Sequence, residues 1–128
     1  MDKKRIMIVD DEEDFIRMLK MNLELSAKFE VMALSSAKDI LANVQVFKPD
    51  LILLDLVMPG IGGLEACEML NNDPIGKMTP IIILSALSKD IDKLKAYKLG
   101  IVGYVTKPIE TKKLIAVIEK SLEFKSSK

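Results

Sequence analysis

Leu51-Ile52-Leu53-Leu54 is a run of four apolar residues that stops at Asp55. A strand with one face in water alternates apolar and polar positions, so an unbroken run suits a strand covered on both faces, as in a parallel sheet. Ile81-Ile82-Ile83-Leu84 repeats the pattern, and Ile6 to Val9, Phe29 to Leu34 and Val102 to Val105 complete five candidate strands.

The segments between them carry helical periodicity. Phe15, Leu19 and Leu23 recur every four residues, and Ile40, Leu41 and Val44 follow the candidate caps Ser35 and Ser36. Leu64 to Leu70 and Ile91 to Leu99 give two more helices, the second closed by Gly100, and Leu114, Val117, Ile118 and Leu122 mark a fifth. Five alternating strand and helix units with short links predict one α/β domain over residues 1–128, a doubly wound parallel sheet with right-handed crossovers. The polar tail from Lys125 to Lys128 is expected to fray, or to be the point where a longer chain was cut.

Composition narrows the chemistry. The 128 residues include 19 Lys or Arg and 19 Asp or Glu, so no net charge draws the chain to nucleic acid or anionic lipid. Cys67 is the only cysteine and there is no histidine, which removes internal disulfides, Cys/His zinc sites, imidazole bases and His-containing triads. The apolar stretch after Lys3-Lys4-Arg5 ends at Asp10, too short for a signal peptide, and no run approaches the roughly 18 apolar residues of a membrane span. A cytoplasmic protein with no membrane contact is the expectation.

Ligands of open parallel sheets bind beyond the carboxyl ends of the strands. There the sequence places Asp10-Asp11 after the first strand, Asp55 after the third, Ser85 after the fourth, and Lys107-Pro108 just past the fifth. Taken singly, an acidic pair before a helix is a cap, Ser after a strand a turn residue, and Lys before Pro a surface lysine. Together they bring three carboxylates, a hydroxyl and an ammonium to one edge. Clustered carboxylates are costly to ionise without a cation. So sparse a set favours magnesium, which keeps waters and phosphate oxygens as ligands, over calcium with its six to eight oxygens. A carboxylate nucleophile beside the metal, with a lysine and a hydroxyl to position the transferring group, is a phosphoryl-transfer arrangement.

The stretches Asp10-Asp11, Leu54-Asp55-Leu56-Val57-Met58-Pro59-Gly60, Ser85-Ala86 and Tyr104-Val105-Thr106-Lys107-Pro108 resemble the response-regulator receiver family, in order and over nearly the whole chain. The resemblance implies the flavodoxin-like strand order 2-1-3-4-5 with five helices. It implies that Asp55 accepts phosphate from a histidine kinase or histidine phosphotransfer protein. Asp10, Asp11, Asp55 and the Val57 carbonyl would hold Mg2+, or Mn2+ in its place. Lys107, Ser85 and Ala86 would contact the phosphoryl group, and the peptide bond before Pro108 would be cis. Ser85 and Tyr104 would form the switch, read out by a downstream protein or effector domain on the surface of Lys89 to Leu99 and Val102 to Leu122. Tyr97 would be either a partner's anchor or a partly buried helix residue. A phosphorylation-dependent dimer stays open, and the domain itself would not bind nucleic acid.

Two positions depart from many relatives. Val57 and Leu87, two residues after the acceptor and the switch hydroxyl, are apolar and cannot orient water, so slow self-dephosphorylation is expected rather than enzymatic turnover. Three other readings remain at this point. A flavodoxin-like nucleotide binder would want Ser, Thr or Gly where Asp10 to Asp14 stand. An aspartate-nucleophile phosphatase would want an acid at Val57. A regulatory domain excised from a longer DNA-binding or enzymatic regulator is the third. Gly60-Ile61-Gly62-Gly63 lacks the rest of any nucleotide loop and reads as turn chemistry.

Overall fold

In the computed structural model, which describes residues 2–86 and 98–126, five parallel strands lie in the order β2-β1-β3-β4-β5. They are β1 (Lys4–Val9), β2 (Phe29–Leu34), β3 (Leu51–Leu54), β4 (Ile81–Ser85) and β5 (Ile101–Thr106). The α-helices among the described residues are α1 (Glu13–Leu25), α2 (Ile40–Phe47), α3 (Gly63–Asn71) and α4 (Thr111–Ser126), with a 3₁₀ turn at Gly76–Met78. Most of the helix expected over Ile91 to Leu99 lies outside the described residues.

Both sheet faces are covered, which is why the central strands do not alternate. On one face Met7, Val9, Ile52, Leu54, Ile81 and Ile83 pack with Val44 and Phe47 of α2 and Ala66, Cys67 and Leu70 of α3. Their neighbours of opposite parity, Ile6, Ile8, Leu51, Leu53, Ile82 and Leu84, meet Ile16, Leu19 and Leu23 of α1 and Leu114, Ile118 and Leu122 of α4. Each such side chain, fully buried, adds about 1.5–3 kcal/mol of transfer free energy. Cys67 is wholly buried in the first cluster, and burial, with a smaller push from Glu68, raises its thiol to about 12.

Two local features differ from the sequence expectation. Ser35 and Ser36 do not cap α2: that helix starts behind Asp39, and Ser36 Oγ instead accepts the Lys38 N–H at 3.3 Å in a turn. Of the glycines after β3, expected as turn residues, Gly60 lies in the loop, whereas Gly62 caps α3 and Gly63 is its first residue. Gly60 sits at φ +75°, a conformation that side chains disfavour. A Cβ on Gly63 would fall 2.4 Å from the Asp55 carbonyl oxygen and 2.6 Å from Leu56 Cα, so α3 starts directly against the backbone of the β3 end.

Candidate phosphoacceptor site

The register of the sheet assembles the site. Val9 pairs with Leu54, and the Asp55 N–H donates to the Val9 carbonyl at 2.9 Å, so Asp10 and Asp55 emerge side by side from neighbouring strands. Ser85 pairs with Thr106, and the Lys107 N–H donates to the Ser85 carbonyl at 2.8 Å, which brings the lysine to the same edge. The Lys107-Pro108 peptide bond is cis.

One carboxylate oxygen from each of Asp10, Asp11 and Asp55 lies within 4.8 Å of the others. Asp10 and Asp55 are 1% and 6% exposed, whereas Asp11 faces solvent. Burial, then the neighbouring Asp10 charge, push the Asp55 carboxyl above its usual range. Lys107 and a backbone hydrogen bond from Val57 pull the other way without cancelling that push, and Asp11 adds a smaller upward contribution. Three crowded carboxylates, one of them raised by burial and by the charge of Asp10, fit a divalent cation, since oxygen donors of this hardness are what magnesium takes. Asp10 Oδ2 is buried as well, its charge met by the Lys107 ammonium as an ion pair.

Three groups among the described residues lie against that ammonium. Its Nζ lies 2.5 Å from Asp10 Oδ2, donates to Glu12 Oε1 at 2.7 Å, and sits 4.4 Å from the centre of the Phe15 ring. Burial lowers the affinity of the amine for its proton, but the contacts with Asp10 and Glu12 and the charge of Asp55 outweigh it, leaving Lys107 above its ordinary value. Lys107 is therefore a fixed cation at the edge of the carboxylate cluster.

The other expected residues are more scattered. Ser85 is buried at the end of β4 and Ala86 exposed just past it. The Val57 side chain is 58% exposed, and its backbone bonds the Asp55 carboxylate. Tyr104 is half-buried on β5 opposite Ile83, and its buried hydroxyl has no hydrogen-bond partner among the described residues. Leu87 and Tyr97 lie outside the described residues. Two partners of Lys107 escaped the sequence reading. Glu12 passed as part of an acidic helix start and Phe15 as a core position of α1. The only signal available was their spacing, two and five residues after Asp10.

The sequence profile of the response regulator receiver domain matches residues 6–119. The chain belongs to that family. Among curated relatives, the receiver domain is 35% identical over 116 residues to the alkaline phosphatase synthesis transcriptional regulatory protein PhoP of Bacillus subtilis, covering 91% of this chain and 47% of that protein. It is 36% identical over 123 residues to the transcriptional regulatory protein YvrH of the same organism, covering 96% and 51%. The chain thus spans about half the length of the curated relatives it matches. A CheY-like receiver domain protein from Methanospirillum hungatei superposes with a TM-score of 0.88 at 24% identity over 98% of both chains, a likeness of fold. A response regulator structure from Chloroflexus aurantiacus gives 0.84 at 28% identity over 95% of this chain and 99% of that one. The receiver domain is a module of two-component signalling, with the flavodoxin-like strand order expected of it. No helix among its described residues is long and apolar enough to cross a membrane.

Proposed function

We propose that Asp55 is the phosphoacceptor of this receiver domain, taking a phosphoryl group from a histidine kinase or histidine phosphotransfer protein in a magnesium-dependent reaction. The observation that carries the reading is the meeting of the Asp10, Asp11 and Asp55 carboxylates within 4.8 Å, with Lys107 paired to Asp10 at 2.5 Å. Asp10, Asp11, Asp55 and the Val57 carbonyl would hold Mg2+, or Mn2+ in its place. When bound, the cation neutralises charge on the carboxylates and on the phosphoryl oxygens.

The residues themselves do the rest. An Asp55 carboxylate oxygen attacks phosphorus, the new O–P bond forms as the bond to the donor atom breaks, and the electron pair leaves with the donor. Lys107 and the Ser85 hydroxyl, with the Ala86 region beside them, position the phosphoryl oxygens. The Tyr104 hydroxyl, buried and without a hydrogen-bond partner among the described residues, supports a switch at this point, because a buried polar group gains about 1–3 kcal/mol by keeping or finding a partner. Phosphate drives that move only by contacting the active arrangement better than the resting one. The changed surface over β5, α4 and the segment 89–99, which the sequence pattern marks as helical, would then meet a downstream protein or effector domain, or a second copy of the domain.

Turnover is not part of this reading. The apolar Val57 side chain at the mouth of the site cannot orient a hydrolytic water, and with Leu87 it supports a long-lived aspartyl phosphate. Incubation with magnesium and acetyl phosphate should add one phosphoryl mass to the wild type and none to Asp55→Ala. Equal labelling of both proteins would sink the assignment. After donor removal, the double variant Val57→Asn with Leu87→Glu should lose the added mass faster than the wild type, and an unchanged lifetime would reject the account of slow hydrolysis.

A further inference from the structure

We propose that Glu12 is a positioning residue that holds Lys107 away from Asp55 until a phosphoryl group outcompetes it. This rests on the phosphoacceptor reading of Asp55 and adds a competitor for its lysine. Glu12 Oε1 accepts from Lys107 Nζ at 2.7 Å, across 95 positions of the sequence. Among the described residues no ion pair of 4 Å or less joins Lys107 to Asp55, so the ammonium lies on the Asp10 and Glu12 side of the site.

The two carboxylates differ in what they can release. Asp10 is 1% exposed and cannot turn into water, whereas the Glu12 side chain is 61% exposed against 9% for Lys107. The Glu12 backbone is fixed, because its N–H donates to Asp10 Oδ1 at 2.9 Å, so swinging the side chain outward sacrifices the ion pair alone. A phosphoryl group on Asp55 carries about −1.5 to −2 charge in place of the single carboxylate charge lost as the O–P bond forms. It competes with the single charge of Glu12 for a lysine already within the site. Exchange of one anion for the other moves Lys107 toward Asp55 and frees Glu12 to solvent at the start of α1.

The phosphoryl mimic beryllofluoride, titrated with magnesium, tests this against Glu12→Gln, which keeps the backbone bond and the length of the side chain while removing its charge. An exposed carboxylate in an ion pair contributes little, so the gain in beryllofluoride affinity is expected to be about two- to fivefold. Glu13→Gln is the control, since Glu13 is an exposed carboxylate next in sequence that makes no ion pair or hydrogen bond with Lys107 among the described residues. A second readout is the Lys107 ammonium signal in nuclear magnetic resonance of the protein without metal or fluoride. It should shift and exchange faster in Glu12→Gln but not in Glu13→Gln. Unchanged or weakened affinity in Glu12→Gln, an equal gain in Glu13→Gln, or an unmoved Lys107 signal would each overturn the proposal. A wild type that binds no beryllofluoride would instead remove the phosphoacceptor reading, and the Lys107 signal tells that failure from loss of the latch alone.

Discussion

Asp55 carries opposed demands. Burial and the Asp10 charge raise its carboxyl above the usual range in the folded chain, so the fold binds that proton more tightly than the unfolded chain does. The stability linked to that proton is present below the ordinary carboxylate range and is lost as pH rises through the raised value. At neutral pH without divalent cation, ionised Asp55 therefore works against the fold. Asp55→Asn should melt higher than the wild type there, and the difference should close as the pH falls into the acid range. In a domain of this size a gain of about 1 kcal/mol would read as roughly 4 °C. A lower melting temperature for the variant at pH 7 would mean that attraction to Lys107 outweighs burial. The position of Asp55 was readable from the sequence because it ends an unbroken apolar run. The grip of Glu12 on Lys107 was not, since one side chain in an acidic helix start gives no hint of a partner 95 residues away.

At the level of elements, the link from β3 to α3 is the part least tolerant of change. An added methyl at Gly63 would strike the Asp55 carbonyl and Leu56 Cα, and backbone cannot give way as a side-chain end does. Gly63→Ala should cost about 2–3 kcal/mol in a denaturant titration, the upper part of the range typical of overpacking. Gly62→Ala, whose Cβ would come no closer than 3.9 Å to the Leu56 carbonyl oxygen, should be close to neutral. Equal effects at both positions would count against the close approach. The sequence showed a glycine-rich turn here, but not which glycine bears the contact, because that depends on how α3 lies against the strand end. The start of α2 was obscured for a related reason: Ser35 and Ser36 have good capping chemistry, yet the helix begins four residues after Ser36, behind Asp39.

Over the whole molecule, the fold was legible because the two periodicities seldom conflict. Apolar runs of strand length alternate with helical repeats, and β1, β3 and β4 each send one parity of side chains to either core cluster, whereas in β5 a register shift puts Ile101 and Val105, of the same parity, on opposite faces. Strand order is not encoded in that periodicity and came from the family resemblance. A ligand that binds only the folded chain adds its binding free energy to global stability. Magnesium at a hundred times its dissociation constant should therefore stabilise the wild type by about 2.7 kcal/mol. Thermal unfolding should show the gain shrinking in Asp11→Ala, a variant that leaves both core clusters intact. Equal gains in the two proteins would place the cation elsewhere.

Cys67 has a practical consequence. A thiol that is 0% exposed and raised to about 12 is almost entirely un-ionised near neutral pH and out of reach of electrophiles. With no second cysteine in the sequence, the native surface is silent toward maleimides. A single cysteine placed at Val102, which is 51% exposed on β5, could then carry a fluorophore without any background to remove. The chain is in that sense already prepared for labelling at one chosen site.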